Sequence, residues 1–161
     1  MANNTAADID RAWNLMDKIG FAMLVTPDGG NLRARPMRAF VAREDNAIYM
    51  LTDARRHKDE EIARDPGINL SFADAGDQKY VSVTGTAAVS NDRAKIKELF
   101  STPAKGWWDS ADDPNIRVLK VSPHDAEFWD TPGSVISYVK MTAAAMTGTR
   151  PDIGTNRKVA I

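Results

Sequence analysis

"FAMLVTPDGGNLRARPMRAF", residues 21–40, decides the fold. FAMLVTP (21–27) reads as a short apolar strand. DGGN (28–31) places glycine where a tight hairpin needs positive φ. LRARPMRAFVAR (32–43) then reads as a long strand, EDN (44–46) turns it back, and AIYMLT (47–52) forms a third. The result is an antiparallel meander. Within its second strand Arg33, Arg35 and Met37 share one face by period two, and Ala34, Pro36 and Arg38 share the other. A proline removes a ladder donor and confines its strand to an edge or a bulge. Positive charge beside such a proline fits a bound anion, and it also fits a solvated edge.

Outward from this meander the period changes. DIDRAWNLMDKI (8–19) puts Ile9, Ala12, Trp13, Met16 and Ile19 on one helical face, with Asp8 as a cap and Gly20 as a stop. HKDEEIARDP (57–66) is a short helix ended by Pro66 and Gly67. INLSFAD (68–74) and KYVSVTGTAAVS (79–90) are the next strands, with Gly85 a bulge or bend of the kind that curls a sheet. RAKIKELFS (93–101) is a helix capped by Asn91 or Asp92. NIRVLKVSP (115–123) and DAEFWDT (125–131) read as the last strands. SVISYVKMTAAAMTG (134–148) is a helix, and 150–161 a loosely held polar end. Short strands in a meander with small helices between them point to a single-domain antiparallel barrel of six strands spanning residues 1–161.

Bulk composition narrows the function. A chain of 161 residues, 43% hydrophobic and 27% charged, suffices for one domain with a core. A net charge of −1 argues against general nucleic-acid binding, which needs a basic surface. The absence of cysteine excludes thiolate catalysis and thiolate-held zinc or iron–sulfur sites. Two isolated histidines make no metal site. MANNTAADID is not a secretory leader, and no apolar run approaches the roughly 20 residues of a membrane span. A cytoplasmic location and no membrane partner are the expectations.

Chemistry concentrates in LTDARRHKDEE (51–61). Thr52 ends the third strand, and Arg55, Arg56, His57 and Lys58 cluster where a helix opens. Cations oppose the macrodipole there. Backbone N–H groups and basic side chains aimed at one point make an anion site, and phosphate is the natural occupant. The other reading is a solvated basic turn balanced by Asp59, Glu60 and Glu61. A hairpin at 44–46 would lay Arg35 within reach of Thr52 and Lys58, so that Arg35–Met37 and Tyr49–Thr52 border one groove.

In this order the residues resemble the flavin-binding split barrels of the pyridoxamine 5'-phosphate oxidase family, in the branch of general stress proteins. The resemblance also rests on YVSVTGTAAV, Trp107–Trp108, DDPNIRVLKVSPHDAEFWD and VKMTAAAMTGTRPDIG, and covers roughly residues 8 to 155. It implies a mainly β fold with flanking short helices, a six-stranded split β-barrel, and FMN at a homodimer interface. By matching positions, Arg35, Pro36 and Met37 line the ring, with backbone groups meeting its polar edge, and Tyr49, Met50 and Leu51 border the same cofactor groove. Thr52, Arg56, His57 and Lys58 take the phosphate and ribityl chain. A glutamine that contacts the ring in the oxidases falls at Tyr80. Either one of Trp107 and Trp108 lies against the flavin ring of the partner subunit, or one is core and the other a dimer contact, and Trp129 could serve either purpose. The oxidases end with an Arg-x-His substrate motif that NRKVAI lacks, so pyridoxamine phosphate oxidation is not expected. The implied function is an FMN-dependent oxidoreductase linked to stress, drawing on a reduced nicotinamide or another small donor. The alternatives are a flavin carrier or sensor without turnover, and a split barrel that binds deazaflavin or haem.

Overall fold

The computed structural model of the chain describes residues 5–56, 58–151 and 154–161. Its elements in order are α1 (Ala6–Ile19), β1 (Phe21–Asp28), β2 (Asn31–Arg38), β3 (Phe40–Ala42), β4 (Ala47–Asp53), α2 (Lys58–Arg64), β5 (Gly67–Asp74), β6 (Lys79–Ser90), α3 (Arg93–Leu99), β7 (Ile116–Asp130), α4 (Ser134–Thr147) and β8 (Thr155–Ala160). The fold is mainly β, an antiparallel sheet of eight strands in the order β2-β1-β5-β6-β7-β4-β3, with β8 also paired to β7.

The two ends of that path, β2 and β3, are joined through the single residue Ala39. A sheet whose outermost strands are consecutive in the chain must curl back on itself, and β2 does come alongside β4. No ladder joins β2 to β4, so the curl is not hydrogen-bonded shut. The expected strand 32–43 is therefore two strands. Ala39 leaves the ladder and donates its N–H to the Gly20 carbonyl (2.9 Å). Beyond it the chain pairs with β4 in the register Phe40↔Tyr49, whereas β2 pairs with β1 as Arg35↔Leu24. Pro36 sits on β2, which pairs on one side only, so its missing donor costs no ladder bond on the outer side.

Two further expectations are corrected. The strands read at 115–123 and 125–131 are one bent strand, β7. Its buried positions run 119, 121, 123 and then 126, 128, and the change of phase at exposed His124 mimics a turn. His124 is the extra residue of a bulge between the pairs Gly85↔Pro123 and Thr84↔Asp125. Gly85 is required there, since a Cβ would lie 2.5 Å from the Ser122 carbonyl oxygen. The end read as loose contains β8, whose Val159 is buried against the main core. Among the described residues the strand count is thus eight rather than six.

Helix α1 fills the curl. Thr5, not Asp8, is its cap, accepting the Asp8 N–H, and Gly20 closes it with φ 70°. Trp13, Leu15 and Met16 pack with Leu24, Phe72, Val81 and Phe128. Each such side chain contributes roughly 1.5–3 kcal/mol. Arg11 and Lys79 converge on Asp130 at 2.5 and 2.7 Å and tie α1 to β6 and β7. The Arg11 hydrogen bond holds the Asp130 carboxyl below the usual range, against the opposing pull of burial. A second, smaller core lies on the other face of β4, where α3 brings Ile96 and Leu99 onto Tyr49 and Val118. β4 is buried on both faces, which fixes the register of its last residues. Among the described residues no helix is long and apolar enough to cross a membrane.

Candidate functional site

β4 carries the site because its alternation sends neighbouring residues into different cores. Met50 packs into the main core and Tyr49 and Leu51 into the smaller one. Thr52 is 4% exposed, and its Oγ1 has no hydrogen-bond partner among the described residues. An unsatisfied buried hydroxyl costs about 1–3 kcal/mol. Residues 54–56 then form a single 3₁₀ turn, anchored by the Ala54 N–H on the Asn115 carbonyl (2.8 Å).

The basic cluster divides at this turn. Arg55 is committed to Asp53, with Nε to Oδ1 at 2.9 Å and a second contact from the guanidinium to Oδ2. The Arg55 hydrogen bond holds the Asp53 carboxyl at about 2, overriding burial, and the Trp108 indole adds a weaker pull without completing a hydrogen bond. Arg56 is exposed and lies over the Trp107 ring, 5.9 Å from its centroid. Trp107 is 71% exposed, while Trp108 turns inward to the smaller core with its Nε1 unpartnered among the described residues. His57 lies outside the described residues. Lys58 opens α2 by its backbone, and its side chain lies outside them as well.

Arg35 is placed differently from the expectation. β2 pairs with β1 rather than with β4, and the Arg35 guanidinium donates to Thr26 Oγ1 (2.7 Å) and to Glu61 Oε2 (3.1 Å). Both members of that ion pair are largely buried, at 14% and 20% exposure. It links β2, β1 and α2, so Arg35 sets the position of the helix that begins at Lys58. The Met37 and Met50 side chains belong to the main core, and Pro36 is exposed. Tyr49 spends its hydroxyl on Asp45 (2.9 Å) under the Lys95 ammonium, and burial, then Asp45, push its phenol upward.

The structure brings Arg56 and Trp107 together at the end of β4, with Trp108 on the smaller-core face of that strand and Thr52 on the opposite face beside Met50, and Arg35 holds α2. It does not bring Tyr80 to them. Tyr80 pairs with Trp129, and Thr52 with Arg117, so the two rows are separated by roughly 40 Å of bent strand at about 3.3 Å per residue. Sequence reasoning passed over Asp53 and Thr26, and read Glu61 only as balancing charge for the basic turn. The spacing of Asp53 and Arg55 is a local signal, whereas Glu61 meets Arg35 only through tertiary structure. Two surface hollows of about 290 and 300 Å³ lie beside α4, and neither is lined by the residues gathered at the β4 end. No group of three His, Cys, Asp or Glu able to hold a metal occurs among the described residues.

The donors at the β4 end fit a phosphate-bearing ligand. A phosphate oxygen would satisfy the orphaned Thr52 hydroxyl, and Arg56 stands one turn further on with an exposed cation. Comparison with known proteins gives the family and the fold. A family model described as "Pyridoxamine 5'-phosphate oxidase like" matches residues 7–152. General stress protein 26 of Bacillus subtilis (strain 168) is 29% identical over 119 residues, covering 70% of this chain and 81% of that protein. The candidate general stress protein 26 of Jannaschia sp. CCS1 superposes with a TM-score of 0.75 at 25% identity, over 96% of this chain and 99% of that one. A general stress FMN/FAD binding protein from Xanthomonas citri gives a TM-score of 0.67 at 20% identity, over 78% and 89% of the two chains.

Proposed function

The chain belongs to the pyridoxamine 5'-phosphate oxidase-like family, and on that premise we propose that it is an FMN-binding split barrel that works as a flavin-dependent oxidoreductase. The observation that carries the reading is Thr52: a buried hydroxyl with no partner among the described residues, at the head of a basic turn. The Xanthomonas citri relative, named as an FMN/FAD binding protein, supports it. In this reading Thr52, Arg56 and Lys58 hold the phosphate, and His57 lies beside the ribityl chain. The backbone of Arg35–Met37 and of Met50–Leu51 meets the polar edge of the ring. Bound flavin supplies two-electron chemistry, and the chain supplies binding, orientation and a water-poor wall.

The flavin lies between two copies of the chain. Trp107, 71% exposed, then gains cover from the ring or from the second copy. A reduced nicotinamide or another small donor is the proposed source of electrons.

The test is direct. The purified protein should be yellow, with flavin absorbance bands that bleach anaerobically when a reduced nicotinamide is added. Lys58→Ala should weaken FMN binding by about 2–3 kcal/mol, one to two decades in Kd, through loss of one charge-assisted phosphate contact. Lys105→Ala is the control and should leave affinity unchanged. Equal effects in a fluorescence titration would remove Lys58 from the site. Bands without bleaching would favour a carrier or sensor over an enzyme.

A further inference from the structure

The two hollows beside α4 share one lining residue, Lys140, and neither takes part in the flavin reading. Along α4 the residues Ser137, Lys140, Ala144 and Thr147 follow at spacings of three and four, so they form one stripe. Among the described side chains of the helix only Ser137 and Ala144 are buried. The stripe thus meets the body of the chain without packing tightly on it. One hollow runs from Lys140 toward Arg150, and the other toward Pro132 and the start of β6.

The second hollow, of about 300 Å³, has a one-sided charge. Asp130 is the one carboxylate among its described lining residues, and Arg11 at 2.5 Å and Lys79 at 2.7 Å already converge on it. Lys140 adds a further cation to the lining. Three cations, Arg11, Lys79 and Lys140, therefore stand against one carboxylate. The Lys79 side chain is only 15% exposed. Two of its three N–H donors go to Asp130 Oδ1 and to the Thr131 carbonyl, both at 2.7 Å, and the third is left over. Ser137 stands one turn before Lys140 on the stripe, between Lys140 and the Pro132 end of the lining. It is 2% exposed, and its Oγ has no partner among the described residues. Gly154 lets β8 begin hard against the end of β7, since a Cβ there would lie 2.7 Å from the Asp130 carbonyl oxygen. That close approach sets Thr155 at the rim of the hollow. Spare donors, an orphaned buried hydroxyl and a surplus of cations in one concavity call for an acceptor that carries negative charge.

We propose that this hollow binds the carboxylate or phosphate group of a small molecule, with Lys79, Ser137 and Lys140 as its donors and the rest of the ligand lying along Pro132 and Thr155. Ammonium and hydroxyl groups are point donors, which suits a compact oxyanion. A volume of about 300 Å³ admits a small metabolite and no more. Such a ligand touches β6, the end of β7, α4 and the start of β8 at once. It fastens the loosely seated helix and the tail strand to the sheet, so the site is an effector site apart from the β4 end.

Isothermal titration of the full chain with inorganic phosphate, with succinate and with chloride at matched ionic strength tests the proposal. Phosphate or succinate should show a saturable component, and chloride should show none. Saturation by phosphate alone assigns a phosphate ester, and by succinate alone a carboxylate. Lys140→Gln should weaken that component about tenfold through loss of one charge-assisted contact. Lys79→Gln should abolish it, but that change also strips Asp130 of a partner. Lys140→Gln, checked for an unchanged circular dichroism spectrum, is therefore the deciding variant. Lys97→Gln alters an exposed cation on α3 and should change nothing. Inorganic phosphate also suits the β4 end, so Lys58→Ala is titrated alongside. A component weakened by Lys140→Gln and kept by Lys58→Ala supports the proposal. No saturable binding of either anion, binding matched by chloride, or a component that Lys140→Gln leaves intact overturns it. Flavin uptake is not read in this experiment, so the flavin reading stands or falls separately.

Discussion

At Arg35 the guanidinium finds its partners inside the chain: it donates to Thr26 and Glu61, and the three residues join β2, β1 and α2. At the end of β4, Thr52 Oγ1 and Trp108 Nε1 are buried with no partner among the described residues. The two places both border the curl, yet one is complete in the isolated chain and the other is not. A satisfied, largely buried ion pair behaves as framework. Orphaned donors beside an exposed Arg56 behave as a site that something else completes. The expected arrangement had set Arg35 against the flavin ring and the basic turn on the phosphate; in the structure Arg35 positions α2, and the proposal leaves the turn to meet the ligand.

This contrast is most easily broken at Glu61. Glu61→Ala leaves the Arg35 guanidinium largely buried and unpaired, and should cost about 2–3 kcal/mol of stability, less than for a fully buried pair. Urea unfolding measures it. Glu61→Gln, which keeps a hydrogen-bond acceptor, should recover part of the loss. If Glu61→Ala leaves stability unchanged and removes only flavin binding, Arg35 and Glu61 belong to the site rather than to the framework.

A smaller effect sharpens the other side. Asp53 is held at about 2, below its ordinary 3.8. A carboxyl depressed in the folded state stabilises it above the unfolded value, and that contribution is lost as the pH falls through the folded value. Arg55→Ala returns Asp53 toward 3.8. The stability gap between native protein and variant should therefore be full at neutral pH and close between pH 3.8 and 2. Unfolding curves at stepped pH follow it, and a gap independent of pH would separate Arg55 from Asp53.

How much of this was legible beforehand depends on how local the signal is. Gly20, the Asp28–Asn31 hairpin and the apolar face of Trp13 and Met16 act within a few residues, and each is found where its pattern places it. Gly85 was read as a bend, and the register does shift there. The break at Ala39 has no local mark, since it arises when the chain passes from one end of the sheet to the other. β8 was missed because its cations Arg157 and Lys158 make an edge strand resemble a solvated tail. The β4 end was legible as a basic turn, but the division of its arginines was not. Arg55 and Arg56 are identical in type, and only folded geometry gives one to Asp53 and the other to Trp107.

The central claim is that the β4 end is completed by a phosphate-bearing ligand, and Thr52→Val tests it most directly. Valine keeps the shape and removes the orphaned hydroxyl. Without ligand the variant should be more stable than the native chain by about 1 kcal/mol, because a buried unsatisfied group is gone. Its FMN affinity, read by flavin fluorescence, should fall about fivefold to tenfold, because the phosphate loses one donor. Opposite signs in the two measurements are the expected result. A variant less stable than the native chain, with FMN affinity unchanged, would contradict the account.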